Sequence, residues 1–386
     1  MFDSKGQVAV GEKAKEIIGL FNLKVYQEMA DMLMPTLDYK CGDVKKLPYC
    51  HVHNAEFLNI CNDCINLAKE EYDSYETSWN FKKHPLVRNV STIREAFALW
   101  EKETEQRFEK LKENERKLNL IFCDEYEIAD SYADIKEEDI TLRKANLVGD
   151  IKGLISYAVG CMFGRYSLDK DGIVFAGGDF KSNDNSTYPV DKDNIIPICD
   201  DEYFEDDIVG LFIKFIEKVY GEKNLQENLQ FIVDALNLKG SPREALRRYF
   251  LNDFYKDHCA LYSSSQGKTP IYWLFDSGKN NGFKCLIYMH RYQPDTVARI
   301  RTDYVHEQQA RYRTAIEETE KRLESAAGSD KVKLTKKLNT LKAQDDEIHV
   351  YEEKIHHLAD QMISIDLDDG VKHNYEIFKD VLAKIK

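Results

Sequence analysis

Apolar residues recur every three or four positions through most of the chain, which is the spacing of one face of an α-helix. The clearest case is Ile151–Phe163, where apolar residues follow this spacing without a gap. Because Gly153, Gly160 and Gly164 lower helix propensity, we expect another element to pack closely against their side. The same spacing predicts further helices. They are Glu12–Met34, Ala55–Tyr72, Arg94–Leu120, Asp207–Tyr220, Leu225–Leu238 and Pro242 to about Asp257.

Strand patterns are few and short. A β-hairpin fits Ile271–Phe275 and Phe283–Met289, because a loop of Asp, Ser, Asn and Gly residues joins two apolar runs. Alternate residues of both runs are expected to share one buried side. Three more short strands are predicted, at Val8–Val10, Gly172–Ala176 and Asn194–Ile198. The last two belong to an irregular insertion between residues 171 and 197.

From Pro294 to about Ile363 the pattern predicts a helical hairpin that turns at Ala327–Asp330. Apolar residues of the second arm fall at alternating steps of three and four, interrupted by Asp345 and Glu352. This spacing is typical of a short antiparallel coiled coil, although both arms lying on a globular core would give a similar pattern. The predicted fold class is mainly α with small β elements (α+β), a multi-part helical chain ending in this hairpin.

Composition limits the functional classes. The 386 residues include 54 Lys+Arg and 68 Asp+Glu, giving a formal net charge of −14. Such a charge excludes a generally basic protein that coats nucleic acid, although it leaves room for a local basic groove. Met1–Val10 lacks the features of a signal peptide, and the longest apolar stretch, Gly153–Gly164, is too short to cross a bilayer. We therefore expect a cytoplasmic location, reduced thiols and no contact with a membrane.

Two segments suggest metal binding at first sight. Cys50-His-Val-His53 precedes Cys61 and Cys64 at spacings that zinc sites use, but both later cysteines fall on the apolar face of a predicted helix. Buried thiols are therefore the preferred interpretation. The acidic run Asp200–Asp207 is interpreted as negative charge at a helix N-terminus and not as a cation site. We predict no catalytic residue, no metal ligand and no cofactor-binding residue in this chain.

Basic clusters offer the remaining chemistry. Arg243 and Arg247 share a predicted helix face, Arg248 follows directly, and aromatic residues lie beside them. Basic residues interleaved with aromatic ones suit a surface that contacts phosphate groups. Isolated basic clusters are more often simply solvated, so both interpretations stay open at this stage.

Several stretches resemble a known family. They are similar to the C-terminal part of the PglX family, the adenine-specific DNA methyltransferases of bacteriophage-exclusion (BREX) systems, and together they span essentially the whole chain. The stretches are Glu76–Phe81, His84–Leu86, Leu154–Leu168, Pro270–Gly278, Tyr288–Tyr292, Ala298–Tyr304 and Ile365–Lys372.

The N-terminal region is similar to the closing piece of a target-recognition domain, as found in related restriction–methylation enzymes. Phe21–Val25 and Pro35–Pro48 carry this similarity, although Leu23 stands where such enzymes often have serine. The resemblance implies that this region helps to hold DNA. The expected DNA-contacting residues are the lysines of this N-terminal region and the arginines of the basic cluster described above. They are Lys24, Lys40, Lys45, Lys46, Arg243, Arg247 and Arg248.

With this resemblance the chain divides into four predicted parts. Residues 1–50 are the end of a target-recognition domain and residues 51–145 a helical spacer. Residues 146–292 form a mixed α/β body with the β-hairpin, and residues 293–386 form the helical hairpin and C-terminal tail.

The resemblance implies methyl transfer from S-adenosylmethionine to the N6 atom of adenine in a defined DNA site. The family's catalytic Asn-Pro-Pro-Tyr motif and its glycine-rich donor loop do not occur in this sequence. We therefore expect a C-terminal fragment or split-gene product that is inactive alone and binds no cofactor itself. Its expected partners are double-stranded DNA, other components of the defence system and a separately encoded catalytic half.

Two alternatives belong to other functional classes. A non-catalytic protein-interaction scaffold of the defence complex would agree with the net negative charge and the helical hairpin. An acidic DNA mimic would need ordered rows of carboxylates, and because the charges here are mixed in sign we rank it last.

Overall fold

The computed structural model describes residues 10–33, 41–181, 186–264 and 267–385. These residues are mainly α-helical with small antiparallel sheets, which confirms the predicted fold class. The chain divides into two compact units. The first comprises residues 1–78 and 97–146, and the second comprises residues 79–96 and 147–386. The four predicted parts do not map one to one onto these units and stay a prediction.

The first unit is helical. Its helices are α1 (Ala14–Phe21), α2 (Lys24–Leu33), α3 (Cys41–Val44), α4 (Ala55–Asp73) and α5 (Ile93–Tyr126), whose first residues belong to the second unit. The single helix predicted over Glu12–Met34 is wrong, because the chain breaks between α1 and α2. The Asn22 side chain donates a hydrogen bond to the Ile18 carbonyl at 2.7 Å, and such local bonds compete with helix continuation. The predicted strand Val8–Val10 lies almost entirely outside the described residues.

Helix α4 follows its prediction closely. Asn54 is its N-cap, because the Asn54 side chain accepts a hydrogen bond from the Glu56 backbone N–H at 2.8 Å. Phe57 and Cys61 on the apolar face of α4 share a buried cluster with Phe122 of α5. Helix α5 is therefore packed on one side, while its other side carries exposed charged residues.

The second unit is built around α6 (Leu147–Met162), which is buried along most of its length. A Cβ atom at Gly153 would lie 2.8 Å from the His84 Nε2 atom, and one at Gly160 would lie 2.5 Å from the Tyr166 ring. Neither position has room for a side chain. The predicted close packing against the glycine side of this helix is confirmed.

Four helices follow in the second unit: α7 (Ile208–Tyr220), α8 (Leu225–Ala235), α9 (Pro242–Asn252) and α10 (Phe254–Leu261). The helix predicted from Pro242 to Asp257 is therefore two helices, which break at Asp253, where the backbone leaves the helical conformation. At the start of α9 the Ser241 hydroxyl donates a hydrogen bond to the Glu244 carboxylate at 2.8 Å, and the Ser241 side chain makes no capping bond to the backbone.

The predicted β-hairpin is confirmed. Strands β1 (Ile196–Pro197), β4 (Tyr272–Asp276) and β5 (Lys284–Tyr288) form an antiparallel sheet in the order β1-β5-β4, and β2 (Ser263–Ser264) pairs with β3 (Gly267–Lys268). The strand predicted over Gly172–Ala176 is wrong, because this segment forms bends that are anchored by a hydrogen bond from the Val174 N–H to the Arg165 carbonyl.

The predicted helical hairpin is also present. Its elements are α11 (Thr296–Arg299), a π-helical segment (Ile300–Val305), α12 (His306–Ser325) and α13 (Gly328–Ala359), followed by α14 (Gly370–Ile377). Residues 341–359 of α13, which we call the hairpin base, pack into a core that includes Trp273 and Phe378. Residues 328–340, the hairpin tip, are mostly exposed. The interpretation as an arm lying on a globular core therefore applies to the hairpin base, and the interpretation as a coiled coil applies to the hairpin tip.

Candidate nucleic-acid interface

Arg247 lies inside the second unit. Its guanidinium donates to both carboxylate oxygens of Asp207, at 2.8 and 3.0 Å, and also to the backbone carbonyls of Cys199 and Asp201. Asp207 in turn is the N-cap of α7 and accepts hydrogen bonds from the first backbone N–H groups of that helix. Arg247 therefore fixes the junction of α7 and α9. Its predicted availability for DNA does not fit this burial.

The neighbouring arginines on α9 are exposed, but each has a partner. Arg243 forms an ion pair with Glu202 at 2.8 Å, and both side chains are about half exposed. Arg248 donates a hydrogen bond to the Lys239 carbonyl. The acidic run thus supplies counter-charges to α9 through Glu202 and Asp207. Its predicted role at the N-terminus of α7 is confirmed by the Asp207 cap.

The predicted lysines of the first unit are dispersed. Lys24, at the start of α2, donates to the Asp134 carbonyl at 2.8 Å. Lys46 pairs with Asp43 at 2.7 Å, and Lys45 is exposed beside it. Lys40 lies outside the described residues.

A run of positive charge without ion-pair partners among the described residues lies on the hairpin tip, where the sequence prediction named no site. Lys331, Lys333, Lys336 and Lys337, which we call the lysine segment, are all exposed. No acidic residue occurs between Lys331 and Gln344. Within the described residues, none of the four ammonium groups has a carboxylate oxygen within 4.0 Å. Counting charges along α13 finds this segment, whereas the apolar spacing of the coiled coil conceals it.

A groove of about 790 Å³ runs beside the lysine segment. One wall is the outer face of α13, and the other includes Asn280 from the β4–β5 loop. Glu347 holds this loop in place, because its carboxylate accepts hydrogen bonds from Ser277, Asn280 and Gly282 at 2.7 to 3.0 Å. The lining residues are mostly polar or basic. They are Asn280, Lys331, Val332, Thr335, Lys336, Asn339, Thr340 and Ala343.

Ammonium, hydroxyl and amide groups are the donors with which proteins contact phosphate and sugar oxygens. The groove presents ammonium and amide donors, whereas the Thr335 and Thr340 hydroxyls already donate to the carbonyls of Lys331 and Lys336 at 2.8 and 3.1 Å. The arrangement is therefore suited to hold a phosphate backbone.

A second cluster of charged side chains brings together Asp191, Asp193 and Asp206, each offering one carboxylate oxygen within 4.8 Å of the others. The Tyr304 hydroxyl lies 2.9 Å from an Asp193 oxygen and 2.7 Å from an Asp206 oxygen, and Arg299 pairs with Asp193 at 3.2 Å. Burial, followed by the charge of Asp193, raises the pKa of Asp191 to about 7. These contacts account for the cluster as an anchor that joins the hairpin to the body.

The cysteine and histidine residues near the N-terminus have other partners. Burial raises the pKa of the Cys61 thiol to about 12 and that of Cys64 to about 11, which favours the neutral thiol over the metal-binding thiolate. His51 and His53 form hydrogen bonds with Glu16 and Glu125. Among the residues that the structure describes, the metal-compatible groups include none of these side chains.

The chain offers no fitting donor site for S-adenosylmethionine at its glycine pair. Gly177 and Gly178 lie in an irregular segment, with no strand before them and no helix directly after them among the described residues. A donor loop needs that strand–loop–helix context.

None of the described helices combines the length and apolar character of a membrane-spanning helix.

Two curated relatives match almost the whole chain. The chain is 39% identical over 390 residues to the adenine-specific methyltransferase PglX of Lacticaseibacillus casei (strain Zhang), covering 97% of this chain and 32% of that protein. It is 35% identical over 422 residues to the adenine-specific methyltransferase BrxX of Escherichia coli O9:H4 (strain HS), covering 100% of this chain and 34% of that protein. The chain thus spans about a third of the length of these relatives. No family model matches the sequence.

Proposed function

Because the chain is related to PglX-type adenine-specific methyltransferases over nearly its whole length, we propose that it forms the DNA-positioning part of such an enzyme in phage defence. The observation that carries this proposal is the similarity to two proteins that are both named adenine-specific methyltransferases. In this proposal the methyl donor, S-adenosylmethionine, and the adenine are held by other parts of the enzyme. The absence of Asn-Pro-Pro-Tyr from the 386 residues supports that division of labour.

The proposed contacts include the exposed basic residues expected from the sequence. Lys24, Lys45 and Lys46 would act in the first unit and Arg243 and Arg248 in the second, with Lys40 outside the described residues. Arg247 has a different part, since its pairing with Asp207 keeps α9 in place beneath the two exposed arginines. Contacts of this kind orient a protein on a duplex without reading its sequence.

A protein-interaction scaffold is the second candidate. The net charge of −14 disfavours binding to a polyanion over most of the surface, and helical hairpins are common docking elements. The third candidate, an acidic DNA mimic, is weakened by the uncompensated lysine segment, because a mimic presents rows of negative charge. The two leading candidates differ in whether duplex DNA itself is bound.

The test uses the full chain and a fluorescently labelled 30-base-pair duplex, with binding followed by anisotropy between 50 and 200 mM salt. We expect micromolar or weaker affinity and a log–log salt dependence that is linear, as phosphate contacts require. A parallel incubation with radiolabelled S-adenosylmethionine should give no methyl incorporation. Lack of binding at 50 mM salt would favour the scaffold, whereas methyl incorporation would show that the chain carries a catalytic site.

A further inference from the structure

The lysine segment has a charge distribution that folding does not require. Lys333 and Lys337 are four residues apart on α13, where like charges destabilise a helix by about 0.2 to 0.5 kcal/mol. Elsewhere the chain mixes signs, as where Arg116 and Lys117 of α5 both lie within ion-pair distance of Glu113. The lysine segment instead places four exposed lysines within seven residues with no acidic residue among them, on a chain of charge −14.

The groove adds directional donors to this charge. Thr335 and Asn339, one turn apart along the same side of α13, line it together with Lys331 and Lys336. Asn280 faces them from the β4–β5 loop, which Glu347 restrains through the Asn280 backbone N–H at 2.8 Å. A lysine face alone would attract any anion, but a groove that also holds amide donors favours an anionic chain that lies along it.

The dimensions match a duplex backbone. The six-residue step from Lys331 to Lys337 covers about 9 Å of helix axis at 1.5 Å per residue. One DNA strand carries a phosphate about every 3.4 Å along the duplex axis, so the segment can face two or three successive phosphates. The ammonium groups are exposed on flexible stems, which allows each to reach a separate phosphate oxygen.

We propose that the hairpin tip binds the phosphate backbone of double-stranded DNA through Lys331, Lys333, Lys336 and Lys337, with the side-chain amides of Asn339 and Asn280 donating hydrogen bonds in the groove. The inference rests on the proposed function and assigns to it a surface that the sequence prediction did not name. Because the contacts go to phosphates, the tip supplies affinity and register but not recognition of the target sequence.

The experiment replaces the four lysines together, as K331Q, K333Q, K336Q and K337Q in the full chain. The matched control is K102Q, K110Q, K214Q and K218Q, which removes the same charge from four exposed helical lysines elsewhere. Anisotropy titrations at several salt concentrations give the affinity and the salt slope for each protein. We expect the tip variant to lose about tenfold or more in affinity at 100 mM salt, and its slope to fall by roughly three, at about 0.9 per lost phosphate contact.

The control should stay within about threefold of the wild type, with an almost unchanged slope. A double variant of the groove, Asn280→Ala with Asn339→Ala, should lose about two- to fivefold in affinity while keeping the slope, because it removes amide hydrogen bonds and no charge. If the wild type binds the duplex and the tip variant binds equally well, this inference is wrong and the proposed function stands. If the wild type does not bind the duplex, the proposed function fails together with the inference.

Discussion

The two halves of α13 belong to one helix but differ in burial and in the pairing of their charges. At the hairpin base, Ile348, Tyr351 and Ile355 are fully or almost fully buried, and Glu352 is paired with Arg301 at 2.6 Å. At the hairpin tip, Val332 is 69% exposed and the lysine segment has no carboxylate partners among the described residues. Every strong interaction of the base is internal, whereas the charge of the tip faces outward. The comparison indicates that the base stabilises the fold and that the tip is available for a ligand.

The difference arises from what surrounds the helix. The base packs against α11, the π-helical segment and the body of the second unit, so its apolar and charged side chains both find partners. Most side chains of the tip are exposed, and Leu334 is half-buried although it falls at a core position of the apolar spacing. Apolar residues spaced three and four apart therefore stabilise the fold more at the hairpin base than at the hairpin tip, although both lie on one helix.

The largest expected effect tests the stability half of this comparison. Ile348→Ala removes a side chain with no exposed surface from the core, and such substitutions cost about 2 to 5 kcal/mol through lost burial and the remaining cavity. The matched change at the tip, Val332→Ala, should alter the free energy of unfolding by about 0.5 kcal/mol or less. Urea unfolding followed by circular dichroism measures both. Equal losses would show that the tip is as tightly integrated as the base.

Sequence spacing predicted the hairpin base better than the hairpin tip, because buried apolar positions recur with the period of the helix. The β-hairpin, the glycine-lined face of α6 and the second arm of the helical hairpin were all predicted, since each depends on which residues avoid water. The break at Asn22 was missed, because a side-chain hydrogen bond to the Ile18 carbonyl interrupts a pattern that remains apolar on both sides.

Charged side chains were harder to interpret for a physical reason. Arg243 and Arg247 lie one turn apart on α9, yet Arg247 is buried against Asp207 and Arg243 is exposed. Their surroundings are set by the acidic run on a distant part of the chain, which local spacing does not report. The lysine segment could have been found from the sequence, because its signal is the local absence of acidic residues and needs no tertiary information.

An intermediate effect concerns the paired charges of the base. Burial alone would raise the pKa of Glu352, but hydrogen bonds from Arg301 and His306 outweigh burial and hold the pKa below its ordinary value of 4.5. A carboxyl group with a lowered pKa in the fold stabilises it above that ordinary value, and this contribution is lost as the pH falls through the folded pKa. Arg301→Gln should therefore cost about 1 to 3 kcal/mol at pH 7.

The difference between Arg301→Gln and the wild type should shrink as the pH falls from about 5 toward 3, because Glu352 becomes protonated in both proteins. Urea unfolding at half-unit pH steps measures it. A cost that stays constant over this range would mean that Arg301 stabilises the base by packing of its stem and not by its charge.

The smallest expected effect on stability belongs to an ion pair at the border between the hairpin tip and the hairpin base. Glu320 of α12 pairs with Lys342 at 2.7 Å, and both side chains are about half exposed. Exposed pairs of this kind contribute about 0.2 to 1 kcal/mol, so Glu320→Gln should leave the free energy of unfolding nearly unchanged. Removing this negative charge also raises the positive potential of the tip, which should strengthen duplex binding about two- to threefold at 50 mM salt. The gain should shrink as the salt rises from 50 to 200 mM, because the screening length falls with ionic strength.

Glu227→Gln on α8 provides the control, since it removes an equally exposed carboxylate away from the tip. If both substitutions strengthen binding alike, the effect comes from net charge and the tip has no special part. If only Glu320→Gln strengthens binding and the free energy of unfolding is unchanged, the two halves of α13 have different roles. Changes at the tip then act on the ligand alone, and changes at the base act on the fold.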